Sequence, residues 1–145
     1  MILSDDMRRY INEHRVARLA TADRDWQPHV VPFCYALLDD DLYFVIDDKP
    51  KRTHRQLRRL QNIRDNPRVA VVIDDYDDDW THLAYLMLRG GATLVDDADA
   101  FDRVLGVLRQ RYMPYRDMAL TFASHPMVRI HIERANFWRA VQDTE

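Results

Sequence analysis

The chain of 145 residues has one cysteine, Cys34. A lone thiol excludes an intrachain disulfide framework and fits a reducing compartment. No stretch approaches the run of about 20 apolar residues that spans a membrane. The opening Met1-Ile2-Leu3-Ser4-Asp5-Asp6 lacks both the basic region and the apolar run of a signal peptide, so a cytoplasmic protein without membrane partners is expected. Internal repeats, low-complexity segments and Gly/Ser-rich boundaries are absent too, and one domain over 1–145 is the economical reading. Of the six histidines, His14, His29, His54, His82, His125 and His131, none stands at a short ligand spacing from another or from Cys34, and no metal site is expected. The acidic run Asp74 to Asp79 lacks the Gly and terminal Glu of an EF-hand loop and reads as a solvated turn. A net charge of −3 disfavours generic nucleic-acid binding.

Lysine is nearly missing as well. Only two of the 21 cations are lysines, Lys49 and Lys51. GC-rich codon usage accounts for an arginine excess. It does not account for both lysines falling in Asp48-Lys49-Pro50-Lys51-Arg52-Thr53, between an apolar strand and a helix. Eight of the 20 residues from Lys49 to Arg68 are Lys or Arg, against one acid, Asp65. Free N–H groups at a helix start already favour anions, so this stretch reads as a site for a phosphorylated small molecule. Arg55, Arg58, Arg59 and Arg64 read as a solvent-exposed helix face.

What is present places the elements. Ser4 is positioned to cap a first helix whose apolar side is Met7, Tyr10, Ile11 and His14. Arg15–Ala22 and Gln27–Leu38 read as paired strands around Asp23-Arg24-Asp25, and Leu42–Ile46 as a third strand after Asp39-Asp40-Asp41. Together these imply an antiparallel meander. A helix over about Thr53–Asp65 faces the core with Leu57, Leu60 and Ile63, and Asn66-Pro67 ends it. Val69–Ile73 is a continuous apolar run, expected to be buried on both faces. Trp80–Val95 reads as a long strand pair, with Gly90-Gly91 marking a bulge or close backbone approach. Asp97 is positioned to cap a helix carrying Phe101, Val104, Leu105, Leu108 and Tyr112. Met113–Pro126 reads as irregular. Val128, Ile130 and Ile132 alternate with Arg129, His131 and Glu133, a half-buried strand. Mostly hairpin-joined strands with peripheral helices predict a mainly β protein, an antiparallel barrel closed to remove its edges.

In order, Leu19-Ala20-Thr21, Pro28-His29-Val30-Val31-Pro32, Leu42-Tyr43-Phe44-Val45-Ile46-Asp47, Lys49-Pro50-Lys51-Arg52, Asn62-Ile63 with Asn66-Pro67-Arg68-Val69, Asp79-Trp80 and Arg89-Gly90-Gly91-Ala92 resemble the split β-barrel superfamily of pyridoxamine 5'-phosphate oxidase. Within it the chain resembles the small actinobacterial proteins described as F420-dependent enzymes. The resemblance covers about Asp5 to Val141. It implies a six-stranded split barrel and a homodimer with the cofactor, F420 or alternatively FMN, at the subunit interface. The cofactor phosphate would lie on Lys49, Lys51, Arg52 and Thr53. The strand with Pro28, His29, Val31 and Pro32 would line the ring pocket. Trp80, Arg89 and Gly91 would approach the cofactor, with the neighbouring subunit as one source of these contacts.

The implied activity is an oxidoreductase passing a hydride between deazaflavin and a small-molecule substrate, with no side-chain acid or base assigned. An FMN oxidase or reductase, a non-catalytic F420 or flavin carrier, and a haem-binding member are the rival readings. Two positions depart from the family pattern. Trp26 stands where relatives usually carry Gly in the first hairpin turn, and Gly91 where they often carry a larger basic residue.

Overall fold

The computed structural model describes residues 2–47 and 53–141, the side chains of 53–57 excepted. The elements are α1 (Asp5–Glu13), β1 (Ala17–Ala22), β2 (Pro28–Phe33), β3 (Ala36–Leu38), β4 (Asp41–Val45), α2 (Thr53–Asp65), β5 (Arg68–Asp75), β6 (Ala84–Leu94), α3 (Ala98–Arg111) and β7 (Met127–Arg139). Short 3-10 turns at Trp80–His82 and Met113–Asp117 precede β6 and follow α3.

The seven strands form one antiparallel sheet in the order β2-β1-β5-β6-β7-β4-β3. β2 and β3 sit at opposite ends of that order, yet only Cys34 and Tyr35 separate them. Two residues reach no more than about 10 Å from Phe33 to Ala36. The two edges are therefore side by side and the sheet curls on itself, as a split barrel does. This corrects two expectations. The predicted strand Gln27–Leu38 is two strands, which gives seven rather than six, and the first two hairpins flank the sheet rather than forming a meander. The break is enforced from a distance: the Tyr35 N–H donates to the Tyr112 hydroxyl at 3.1 Å, so it is withdrawn from strand pairing.

The expected strand pair Trp80–Val95 is also corrected, since β6 is a single strand of 11 residues. Its bulge is real. Arg89 pairs with Arg134 and Gly90 with Ile132, leaving Glu133 as the extra residue.

Caps and termini follow the sequence. Ser4 Oγ accepts from the Met7 N–H, Asp97 caps α3 through the Ala100 N–H, and Asn66 Oδ1 accepts from the Arg68 N–H where α2 gives way to β5. In the first hairpin turn Asp23 Oδ1 accepts from the N–H groups of Asp25 and Gln27. Trp26 there takes a φ of 65°, the left-handed region that glycine enters at no steric cost.

Two cores result. Leu19, Phe44, Val71, Ile73, Leu86, Leu88, Ile130 and Ile132 fill the barrel. Phe101, Val104, Leu105 and Leu108 of α3 cover Tyr43, Val45 and Met127 on the outside of the barrel. The β5 run is buried on one face only: Val69, Val71 and Ile73 point inward, while Ala70 and Val72 are half-exposed on the outer face.

Candidate cofactor site

β1 and β2 pair with Thr21 opposite His29. Thr21 is buried, so its partner also faces inward, beneath α2. α2 lies across β1 and places Asn62 over this pair, with Asn62 Nδ2 donating to Thr21 Oγ1 at 3.3 Å. One turn earlier, at i−3 on the same helix side, is Arg59. It is 7% exposed, and its guanidinium stands 5.3 Å from the centre of the Phe44 ring.

Arg59 corrects the expectation of a solvated helix face. Arg58 and Arg64 are exposed as expected, but Arg59 is driven into the barrel mouth by the pitch that buries Leu60 and Ile63. The sequence holds a signal for it: Arg59 and Asn62 are polar residues spaced three apart inside the apolar side of α2.

The electrostatics are one-sided. Burial works against the charge on Arg59, and Asp47, then Tyr115, oppose that effect. His29 is held below the ordinary imidazole value, first by burial and then by Arg59 and Arg58. Arg59 Nε and His29 Nδ1 are both buried and without a hydrogen-bond partner among the described residues. Buried polar atoms are usually satisfied, so the orphaned Arg59 Nε–H, and His29 Nδ1 in the tautomer that protonates it, mark a place built to receive an acceptor. A phosphate oxygen meets that need.

Two shallow grooves flank this point. One, of about 620 Å3, lies along α2 and is lined by Asp23, Arg24, Arg58, Gln61, Asn62, Arg64 and Asp65. The other, of about 280 Å3, runs over the outer face of β1 and β5 past Ala20, Ala22, Ala70, Arg68 and Arg89. Its alanines leave a flat apolar floor, and its arginines form a charged rim.

The expected site residues divide as follows. Lys49, Lys51 and Arg52 lie outside the described residues, in the segment joining Asp47 to α2. Thr53 is the first residue of α2. His29 and Val31 face inward, whereas Pro28 and Pro32 pair with Ala22 and Arg18 on the outer face. Arg89 is exposed opposite Ala70, and Gly91 pairs with Arg68. Trp80 is 67% exposed beyond the far end of the β5–β6 hairpin. The eight residues of β5 put it about 25 Å from Arg68 within one chain. A single chain thus places His29 and Arg59 beneath α2 and leaves Trp80 remote.

Among the described residues, no group of three or more His, Cys, Asp or Glu is arranged to hold a metal ion, and no helix is long and apolar enough to cross a membrane.

The fold and this site define a protein of the split-barrel class. The chain matches the family described as Pyridoxamine 5'-phosphate oxidase over residues 3–139 and belongs to it. No curated protein matches it. Among solved structures it is similar to a conserved hypothetical protein of Mycobacterium tuberculosis (TM-score 0.75, 23% identity, covering 100% of this chain and 92% of that one). It is similar to a FAD-binding protein of Mesorhizobium loti (TM-score 0.68, 27% identity, 93% and 94% covered). It also shares its fold with HutZ, the heme storage protein of Vibrio cholerae (TM-score 0.70, 16% identity, 96% and 95% covered).

Proposed function

We propose that this chain is an F420-dependent oxidoreductase acting on a small molecule, with FMN as the alternative cofactor, and that it works as a homodimer. The observation that carries the reading is the pair of unpartnered buried nitrogens, Arg59 Nε and His29 Nδ1, beneath a helix whose entry segment carries Lys49, Lys51 and Arg52. Charge-assisted hydrogen bonds to phosphate are about twice as strong as neutral ones, so these groups fix the anionic end. Pro28 and Pro32 stiffen the outer edge where a ring would rest, and Arg89 and Gly91 border it. The bound ring would supply the hydride chemistry. The chain's own part is to orient ring and substrate and to keep water out, which is where rate arises.

F420 is preferred over FMN because the α2 groove extends the cationic surface through Arg24, Arg58 and Arg64, which suits a longer anionic tail. The FAD-binding relative from M. loti supports the flavin alternative. The non-catalytic carrier would bind the same cofactors without turnover.

Fluorescence titration with F420 and, separately, FMN tests the reading on wild type, Lys49→Ala/Lys51→Ala and Arg59→Met. Tighter F420 binding, weakened at least about tenfold by either variant, is the expected result. Tighter FMN binding overturns the F420 assignment and keeps the site. Binding of both ligands unchanged in Arg59→Met sinks the site itself. A substrate panel that reduced F420 leaves untouched points to the carrier.

A further inference from the structure

We propose that Arg89 and Arg134 together hold the carboxylate of a small, flat, apolar substrate laid across the outer face of the sheet. This rests on the oxidoreductase reading given above and names the class of its substrate. Arg134 belongs neither to the expected site residues nor to the basic stretch around α2.

The ladder sets five residues in one row across the strands. Val30 opposes Ala20, Ala20 opposes Ala70, Ala70 opposes Arg89, and Arg89 opposes Arg134. All five stand on the outer face: Ala20 and Ala70 are half-exposed, and Val30, Arg89 and Arg134 are exposed. Neighbouring strands lie about 4.8 Å apart, so the apolar part of the row extends for about 10 Å before the first arginine's strand is reached. The groove of about 280 Å3 past Ala20, Ala70 and Arg89 follows this row. Its floor is low and apolar, and one end of it is doubly cationic.

Like charges directly opposed across a ladder repel, since their Cβ atoms stand roughly 5 Å apart. A neighbouring acid would offset that repulsion, and the one at hand is engaged. Glu133, the bulge residue beside Arg134, accepts from both Nη atoms of Arg68, at 3.2 and 2.8 Å. Arg68 is the main cause that holds the Glu133 carboxyl below its ordinary value, and Arg134 adds the weakest pull. Among the described residues no ion pair or hydrogen bond joins Arg89 or Arg134 to an acid. A carboxylate offers two acceptor oxygens, one to each guanidinium, through charge-assisted hydrogen bonds. Seated there it relieves the repulsion, and its apolar body lies over Ala70 and Ala20 toward Val30. The row thus matches an anionic end and a flat apolar body in one molecule.

The test titrates the intact chain with naphthoate and naphthamide, alike in shape and different in charge, by ligand-detected NMR. Wild type is expected to bind naphthoate at least tenfold more tightly than naphthamide. Arg134→Gln is expected to weaken naphthoate at least fivefold and to leave naphthamide and FMN within twofold. Arg134 is exposed and the change removes one of two opposed charges, so the thermal midpoint of the variant should not fall. No preference for the acid over the amide overturns the proposal, and so does failure of both to bind. Equal loss of acid and amide in Arg134→Gln overturns it as well. If FMN weakens together with naphthoate, the pair holds the cofactor and not the substrate. If Arg134→Gln turns a wild-type dimer into a monomer in sedimentation, the pair takes an acid of a second copy instead, and the substrate assignment falls. FMN binding unchanged in Arg59→Met would remove the phosphate site while leaving the naphthoate result as it stands, so failure of the cofactor reading is distinct from failure of this one.

Discussion

At the residue scale, the two adjacent glycines of β6 do different work. A Cβ on Gly90 would lie 1.9 Å from the His131 carbonyl oxygen, whereas one on Gly91 would meet nothing closer than Glu133 Oε1 at 3.8 Å. Gly90→Ala must push backbone aside at the bulge and is expected to cost about 2–4 kcal/mol, while Gly91→Ala stays within about 0.5 kcal/mol. Urea unfolding of the two variants reads the difference directly, and equal midpoints would refute it. His29 gives a second expectation. Arg58 and Arg59 from α2 and burial on β2 hold it below its ordinary value, and Thr21 on β1 faces it as a neutral group. The unfolded chain therefore takes up a proton near pH 6.5 that the folded chain refuses until lower pH. Stability is complete above that point and falls as pH drops below it. His29→Gln should flatten this limb below about pH 6.5 in pH-resolved denaturation curves. An unchanged slope would show that His29 does not contribute.

At the element scale, α1 ends without a basic last turn or a glycine cap. Its terminal carbonyls are served from elsewhere. Arg111 on α3 donates to the Asn12 carbonyl at 2.9 Å and to the His14 carbonyl at 2.6 Å. The Tyr35 hydroxyl lies 2.6 Å from the Ile11 carbonyl and 2.8 Å from that of His14. One hydroxyl proton serves one carbonyl at a time, so Arg111 is the donor that keeps both satisfied. Arg111→Met should cost about 1–2 kcal/mol, because the His14 carbonyl it frees stays half-buried while the Asn12 carbonyl is open to water. Amide hydrogen exchange should show α1 losing protection before β5 and β6 do. Uniform loss across the sheet would contradict the local role.

The same elements show what is legible in a sequence. α1 and α3 announce themselves through apolar spacing and through Ser4 and Asp97, and β7 through strict alternation, because those signals are local. The split between β2 and β3 is not local: it depends on the Tyr112 hydroxyl, 77 positions away, taking the Tyr35 N–H. The cation-rich entry to α2 is visible as composition. That Arg59 rather than Arg58 turns inward depends on where the helix is rolled against β1, and that roll is set by packing.

At the scale of the whole molecule, the outer face of the sheet is unlike the outside of a solitary barrel. Directly opposed residues share a face, so Val30, Ala20 and Ala70 form one apolar row across β2, β1 and β5, and Val72 and Met87 the next across β5 and β6, bordered by Arg89 and Arg18. Val30 is 62% exposed. Tyr85 and Trp138 extend the patch, stacked with ring centres 5.8 Å apart and about 40% exposed each. Patches of this kind mark contact surfaces, and β5, apolar on both sides though only one is buried, reads as a strand whose second face awaits cover. A second copy seated there would also resolve the position of Trp80, which is too remote from Arg59 in its own chain to share a site with it. Val30→Glu adds charge at an exposed position and should leave monomer folding intact. It should convert a dimer to a monomer in sedimentation at micromolar concentration and weaken F420 and FMN binding together, because the ring would lose the wall supplied by the partner. A wild-type protein that sediments as a monomer removes the shared site. A Val30→Glu monomer that binds both cofactors as tightly as wild type shows that one barrel is sufficient.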